Sequence, residues 1–507
     1  MTVKLREMMI SVDDFETRVA VLEDRKLVEI YTERVVSPSI VGNVYLGRVK
    51  DVLPGMDAAF VDIGLDKNAF LFIEEVTFPQ EDLASAPRKI QHLLKPGQEI
   101  MVQVIKEPMG AKGARVTTEI ALPGRYLVLL PFGDSIGVSR RLESEERDRL
   151  RRLCEGILPK ETGLIVRTVA RGAELGQLKK DLRYLLRVWR GLNRRAKVVK
   201  PPQVLYEELQ LPLKIVRDVF SADFKRLVID SSIKHQRTLF FLSRTAPELK
   251  NRVELYKEKL PLFDRYGIEE EIRNALKSKV WLRSGGYIVI GHTEALTSID
   301  VNTGKYVGKT GLQETILKTN LEAAEEIARQ IRLRDIGGII VIDFIDMANP
   351  RNRREVYRVL SEALSADRVK THVAEISRLG LVEMTRKNVS EGLIEFLCEP
   401  CSCCRGTGVV LSREAAAIES VRKMHRACLS NVSEALLFKV SPQVADFLAK
   451  EGKTALQRLR VCTKKRIYFY GDPESPLDAC ELIGEGAYRE VEKEYKALIE
   501  GERFVDR

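Results

Sequence analysis

Thr297-Ser-Ile-Asp300-Val-Asn302 and Gly338-Ile-Ile-Val-Ile-Asp343-Phe-Ile-Asp346 are two runs of β-branched residues, and each ends in acid. An unpaired carboxylate inside a strand is rare, because burying the charge costs several kcal/mol or more. Strand alternation puts Ser298, Asp300 and Asn302 on one face and Ile299 and Val301 on the other. Two apolar strands that deliver carboxylates to one place predict a divalent-metal site, and Mg²⁺ is commonly held by one or two carboxylates plus substrate phosphates. The spacing does not choose between Asp343 and Asp346, which face opposite ways if the strand continues.

Between these runs the pattern is helical from about Leu312 to Asp335. Leu317, Leu321, Ala324, Ala328 and Ile331 form its apolar stripe, and Gly337-Gly338 is expected to end it. A hairpin with Ser284-Gly285-Gly286 at its turn is expected just upstream. A helix returning into a strand places the region in the α/β or α+β class.

Toward the N-terminus, residues 1 to 35 alternate like strands. Residues 42 to 118 then read as short strands cut by Gly and Pro, the pattern of a small barrel. Within it, Ala59, Val61 and Ile63 form an apolar inner face, so Phe60 and Asp62 point outward. An outward Phe on a small barrel suits base stacking, worth ~1–3 kcal/mol per base. Phe70 is ambiguous, since Leu71 and Ile73 compete with it for the inner face. Lys106 and Lys112, with Gly110 and Gly113 nearby, offer flexible cations for phosphate. Residues 120 to 212 mix strands with charged helices, 213 to 276 alternate strand and helix, and 411 to 507 read as a small α/β unit.

Lys plus Arg number 83 against 73 Asp plus Glu, a net charge of +10 that favours a polyanionic partner. No stretch is apolar enough to span a membrane and no apolar signal core follows Met1, so a cytoplasmic protein is expected. At 507 residues the chain should divide into several domains. Four of its eight cysteines crowd into Cys398-Glu-Pro-Cys401-Ser-Cys403-Cys404, which reads as metal before disulfide. Cys401 and Cys404 have CxxC spacing, and a structural zinc takes four ligands. Three arrangements are open: Cys398 and Cys403 complete the site, the pair forms a redox disulfide, or two chains each donate Cys401 and Cys404.

The runs Ser298-Ile-Asp-Val-Asn302, Thr319-Asn-Leu-Glu-Ala-Ala-Glu-Glu-Ile-Ala-Arg-Gln-Ile-Arg-Leu-Arg-Asp335 and Gly337-Gly-Ile-Ile-Val-Ile-Asp-Phe-Ile-Asp-Met347 resemble the catalytic core of the ribonuclease E/G family of bacterial endoribonucleases. Ala58-Ala-Phe-Val-Asp, Gly163-Leu-Ile-Val-Arg-Thr168 and the CxxC with its Gly-Thr-Gly extend the resemblance over essentially the whole chain. It implies a multidomain α/β and α+β fold. Its expected parts are an RNase H-like subdomain (1–35 and 213–277), an inserted S1 (OB) barrel (36–118), a 5′-sensor (119–212), a DNase I-like catalytic subdomain (278–397), a zinc-link (398–410) and a small C-terminal α/β domain (411–507).

The resemblance further implies Mg²⁺ held by Asp300 and Asp343 with Asn302 beside them, RNA gripped by Phe60, Phe70 and Lys112 (Lys106 joins them only from the barrel reading above), and a 5′-monophosphate sensed by Arg167 and Thr168. It implies single-stranded RNA as substrate, in rRNA maturation and mRNA decay, cut to 5′-phosphate and 3′-hydroxyl ends. A homodimer sharing Zn²⁺ through Cys401 and Cys404, and a homotetramer built from it, follow from the same likeness. Two features differ from the usual family pattern: Ser402 stands where a Pro is common, and Cys398 and Cys403 crowd the link. The chain ends at Arg507 without the long disordered scaffold of some members, so a short form is expected. The rival reading is a non-catalytic S1-type RNA-binding or assembly protein, which leaves two strand-borne acids facing a polyanion without purpose.

Overall fold

A computed structural model describes residues 5–77, 89–108, 112–159, 162–304, 312–377, 380–388, 392–404 and 406–502. Gly110 lies outside the described residues. The chain forms two compact units, 1–396 and 397–507.

The larger unit begins with three antiparallel strands, Arg6–Val12, Glu16–Glu23 and Lys26–Arg34. Arg6–Val12 also pairs in parallel with Phe224–Ile229, which pairs with Val253–Leu255. The chain therefore leaves this sheet after Arg34 and returns to it some two hundred residues later, and other elements are built in the excursion. Met8, Ile10, Val19 and Val21 are fully buried on one face against Phe220 and Phe224.

The first inserted element is the barrel. Its strands Val44–Leu53, Ala58–Asp62, Ala69–Phe72, Arg115–Thr117 and Glu99–Lys106 pair in that order, and the last closes onto the first. Ala59, Val61, Ala69, Leu71 and Val116 fill the interior with no exposed surface. Gly113 is less a source of freedom than a packing requirement: a Cβ there would collide with the Asn68 carbonyl oxygen. A four-stranded sheet follows, ordered Ile136–Val138, Gly163–Val166, Leu127–Leu130 and Leu122–Pro123. It packs against the helices Ser144–Glu155 and Leu175–Ala196 through Leu150, Cys154, Leu178 and Leu182.

The sheet that carries the acids has six strands, ordered Lys279–Trp281, Tyr287–His292, Leu296–Asn302, Gly338–Asp343, Leu381–Arg386 and Thr371–Val373. Residues 282–286 turn the expected hairpin. One face, with Ile288, Ile290, Ile299, Val301, Ile340 and Ile342, is buried under the helices Leu312–Leu333 and Pro350–Leu364. The helix stripe is wider than expected, since Ala323 and Ile327 are also fully buried while Leu317 and Leu321 are partly so.

The long helix is stopped by Asp335 in the left-handed region (φ 51°), not by the expected Gly337-Gly338. Asp335 is fixed there because its carboxylate accepts from Arg386 Nη1 at 2.6 Å, and Arg386 Nε donates to Asp367 at 2.7 Å. Gly337 serves close approach instead, its Cα facing Asn388 with space for little more than hydrogen.

The same helix crosses to the N-terminal sheet. Buried Arg332 Nη2 donates to Glu23 at 3.0 Å and Glu29 at 2.8 Å, and Arg329 Nη1 donates to the Leu27 carbonyl at 2.8 Å. In the smaller unit, Ala435–Val440 pairs in parallel with Arg466–Gly471 and antiparallel with Cys480–Gly486. The helices Arg413–Ser430, Pro442–Lys450, Lys453–Thr463 and Tyr488–Glu502 complete it.

Burial alone would raise the Glu29 carboxyl, but the charges of Arg368 and Arg332 outweigh it and hold the pKa at about 2, against an ordinary 4.5. A depressed carboxylate stabilises the fold above its unfolded pKa and loses that contribution as pH falls through the folded one. Urea melts should therefore show Arg332→Met destabilised by about 3 kcal/mol at pH 7, because Glu23 and Glu29 lose their buried partner. The gap between variant and wild type should narrow as pH falls from about 4.5 toward about 2.

Candidate metal centre and nucleic-acid interface

Leu296–Asn302 and Gly338–Asp343 run parallel, and their register sets Asp300 directly beside Asp343. The burial of Leu296–Asn302 alternates strictly: Thr297, Ile299 and Val301 are buried, while Ser298 and Asp300 are exposed. Asn302 Nδ2 donates to Asp300 Oδ2 at 2.6 Å, so the amide steers this carboxylate. Partial burial, then the negative charges of Asp300 and Asp346, push the Asp343 carboxyl above the ordinary carboxylate range.

The strand ends at Asp343, so the premise that Asp343 and Asp346 sit on opposite faces of one strand does not apply. Asp346 is instead on the following loop, close enough to Asp343 to act on it electrostatically. That loop is pinned by Asn320 of the long helix, which is fully buried. Its Nδ2 donates to the Ile345 carbonyl at 2.8 Å, and its Oδ1 accepts from the Ile345 amide at 3.1 Å.

Two adjacent, exposed carboxylates form a donor set of hard oxygens at a point of negative potential, which suits Mg²⁺ with its remaining positions left to water and phosphate. Among the described residues no group of three His, Cys, Asp or Glu converges in metal-binding geometry, so any cation here relies on such outside ligands.

On the barrel, Phe60 and Phe70 are paired across neighbouring strands and half-buried on the outer face. Their ring centroids lie 5.5 Å apart, edge to face, and Phe72 adds a third ring 4.4 Å from Phe70. Leu71, with no exposed surface, takes the inner face that Phe70 might otherwise have filled. Arg115, which sequence reasoning missed, stacks 4.6 Å over Phe72 and pairs in register with both Phe70 and Lys106. Lys106 and Lys112 are exposed.

Arg167 and Thr168 line a large cavity of about 2520 Å³ that also takes in Arg141, Arg171 and Arg368. Arg167 Nη1 is engaged by Asp218 at 2.7 Å and by the Gly124 carbonyl at 2.8 Å. Thr168 shares a 2.8 Å hydrogen bond with Ser139. The cavity wall mixes guanidinium and carboxylate groups: Arg6, Arg167, Arg329, Arg332 and Arg358 are each paired with an acid.

In the smaller unit Cys398, Cys401 and Cys403 are exposed and Cys404 is half-buried. The backbone amides of Cys404 and Cys403, followed by the Cys404 thiol, lower the Cys401 thiol below its ordinary value. Such amide-to-sulfur contacts favour the thiolate, the form that binds metal. Among the described residues Cys398 and Cys403 do not join this pair in a cluster of ligands.

Residues 121–389 match the Ribonuclease E/G family, and residues 400–483 match its thioredoxin-like domain. Ribonuclease G of Escherichia coli K12 is 44% identical over 92% of this chain and 97% of its own length. Ribonuclease G of Haemophilus influenzae is 43% identical over 88% of this chain and 92% of its own. Identity to ribonuclease E of the same organism is lower, 37%, and covers 48% of that longer protein. With more than half its length matched to one family and a full-length relative at this identity, the chain belongs to the ribonuclease E/G family.

Proposed function

We propose that this chain is an endoribonuclease that cuts single-stranded RNA in a Mg²⁺-dependent reaction, leaving 5′-phosphate and 3′-hydroxyl ends. The observation that carries this reading is the in-register pairing of Asp300 with Asp343 on an exposed sheet face. Asp300 and Asp343 would hold the cation, and Asn302 would keep the Asp300 carboxylate turned toward it. When bound, a divalent cation neutralises developing phosphate charge and lowers the pKa of a bound water. Phe60 and Phe70 receive bases and Lys106 and Lys112 meet phosphates, so that a single strand lies extended across the barrel. Attack of water on the scissile phosphorus would form the new P–O bond and break the bond to the 3′ oxygen, the water giving up a proton and the departing 3′ oxygen taking one up to leave as a hydroxyl.

The guanidinium-lined cavity supports recognition of a 5′-monophosphate. Arg167 contributes charge-assisted hydrogen bonds and Thr168 a neutral one, with Asp218 holding Arg167 in place until phosphate arrives. We read the N-terminal sheet as the RNase H-like subdomain, the barrel as S1 and the acid-bearing sheet as the DNase I-like subdomain. Substrates would be rRNA precursors and messages in the cytoplasm. Among the described residues no helix is long and apolar enough to cross a membrane. Cys401 and Cys404 fit one half of a zinc site completed by a second copy, making a homodimer and, through the small domain, a homotetramer.

Three outcomes are expected. Asp300→Asn or Asp343→Asn should slow cleavage of labelled single-stranded RNA by about a thousandfold, the scale of several kcal/mol, while gel-shift affinity persists; cleavage at the wild-type rate would contradict the metal role. Thr168→Val should reduce the preference for 5′-monophosphorylated over 5′-hydroxyl substrates by about tenfold, leaving cleavage of a circular substrate unchanged. Cys401→Ser with Cys404→Ser should sediment as a smaller species than wild type and bind less zinc by atomic absorption.

A further inference from the structure

Trp281 is 64% exposed, although a large aromatic ring is costly to leave in water. It sits on the edge strand Lys279–Trp281, whose burial alternates so that Lys279 and Trp281 share the open face and Val280 points into the core. Register carries that face directly to the acids. Lys279 pairs with Val289, Val289 with Asp300, and Asp300 with Asp343. In the next row Trp281 pairs with Tyr287 and Tyr287 with Asn302.

The three edge residues are organised as a group. Lys279 Nζ lies 4.2 Å from the Trp281 ring centroid and 3.6 Å from that of Tyr287, and the two rings stand 5.3 Å apart at 65°. With Lys279 and Tyr287 against it, the indole still keeps well over half of its surface exposed. With strands about 4.8 Å apart, two strand spacings separate this group from Asp300, roughly 10 Å. The open face stays accessible along the acid-bearing strand too: Ile339, at its far end from Asp343, is 51% exposed.

We propose that Trp281, with Lys279 and Tyr287, is a nucleotide subsite of the active centre, where the base next to the scissile phosphate stacks on the indole and Lys279 meets its phosphate. This rests on the nuclease reading above and adds a second base-stacking platform, on the catalytic sheet itself and distinct from the barrel aromatics. Charge and shape favour RNA as the occupant. A cation between two rings suits a phosphate joined to a flat base, and the adjacent carboxylates admit a polyanion only together with a cation.

The test uses the full chain. Its two tryptophans are Trp189 and Trp281, so Trp189→Phe leaves Trp281 as the sole indole, and Asp300→Asn in the same protein prevents cleavage. Titration with a short single-stranded oligoribonucleotide should quench the emission, and an oligonucleotide with abasic sites should quench it far less. In the cleaving enzyme, Trp281→Ala should lower kcat/KM by about tenfold, the scale of one lost stack, and Trp281→Phe should recover most of it. An abasic site at the stacked position should cost wild type a similar factor and cost Trp281→Ala almost nothing. Unchanged emission while a gel shift reports bound RNA would overturn the subsite, as would equal abasic penalties in wild type and Trp281→Ala. Emission that responds to protein dilution but not to RNA would also overturn it, assigning the face to a subunit contact. Wild-type protein that cuts no RNA in Mg²⁺ would sink the nuclease reading, while the quenching still decides whether the indole stacks on a base.

Discussion

Two carboxylates held side by side on neighbouring parallel strands repel each other, and the architecture around Asp300 and Asp343 exists against that repulsion. At about 4 Å such a pair costs ~1 kcal/mol in water and ~4 kcal/mol near a protein surface. In Asp343 burial pushes the carboxyl upward, and the charges of Asp300 and Asp346 add to that. Nothing in chain connectivity requires this placement. It is imposed by packing: the buried faces of both strands lock into one core under the long helix, and a one-residue slip of either would turn its acid inward. A divalent cation bound between them would turn the repulsion into attraction.

The helix that fixes the register also links the parts of the larger unit. Its Asn320 pins the loop after Asp343, its Arg329 and Arg332 reach the N-terminal sheet, and Asp335 at its end is held by Arg386. One rigid element therefore sets the acids relative to the sheet from which the barrel and the guanidinium-lined cavity are inserted. On the function proposed above, RNA held on the barrel and cleavage at the acids would be joined through a stiff frame rather than a loose linker.

Much of this was legible from alternation. Ala59, Val61 and Ile63 inside and Phe60 outside followed from period two alone, as did the exposed faces of Ser298 and Asp300. Features that depend on where an element stops were not. Asp346 joined the electrostatics of the site because the strand ends at Asp343. The helix was expected to end near Asp335, but not for the reason it does: a distant Arg386 rewards the left-handed conformation of Asp335, a partner no local signal reveals. Arg115 and Trp281 were invisible for the same reason: each lies on a strand only three residues long, and its importance arises from cross-strand register. Of the proposed site residues, the acids declared themselves by being out of place in apolar strands. Arg167 and Thr168 looked like ordinary strand-end polar residues until the cavity gathered other arginines around them.

The central claim is that Asp300 and Asp343 together grip a divalent cation. The most direct measurement is a crystal structure of the full chain with Mn²⁺ in place of Mg²⁺ and an uncleavable single-stranded RNA, read by anomalous scattering. The account predicts one strong Mn²⁺ peak within about 2.2 Å of an oxygen from each carboxylate and touching a phosphate oxygen. Full occupancy by RNA with no metal peak between the two side chains would contradict it.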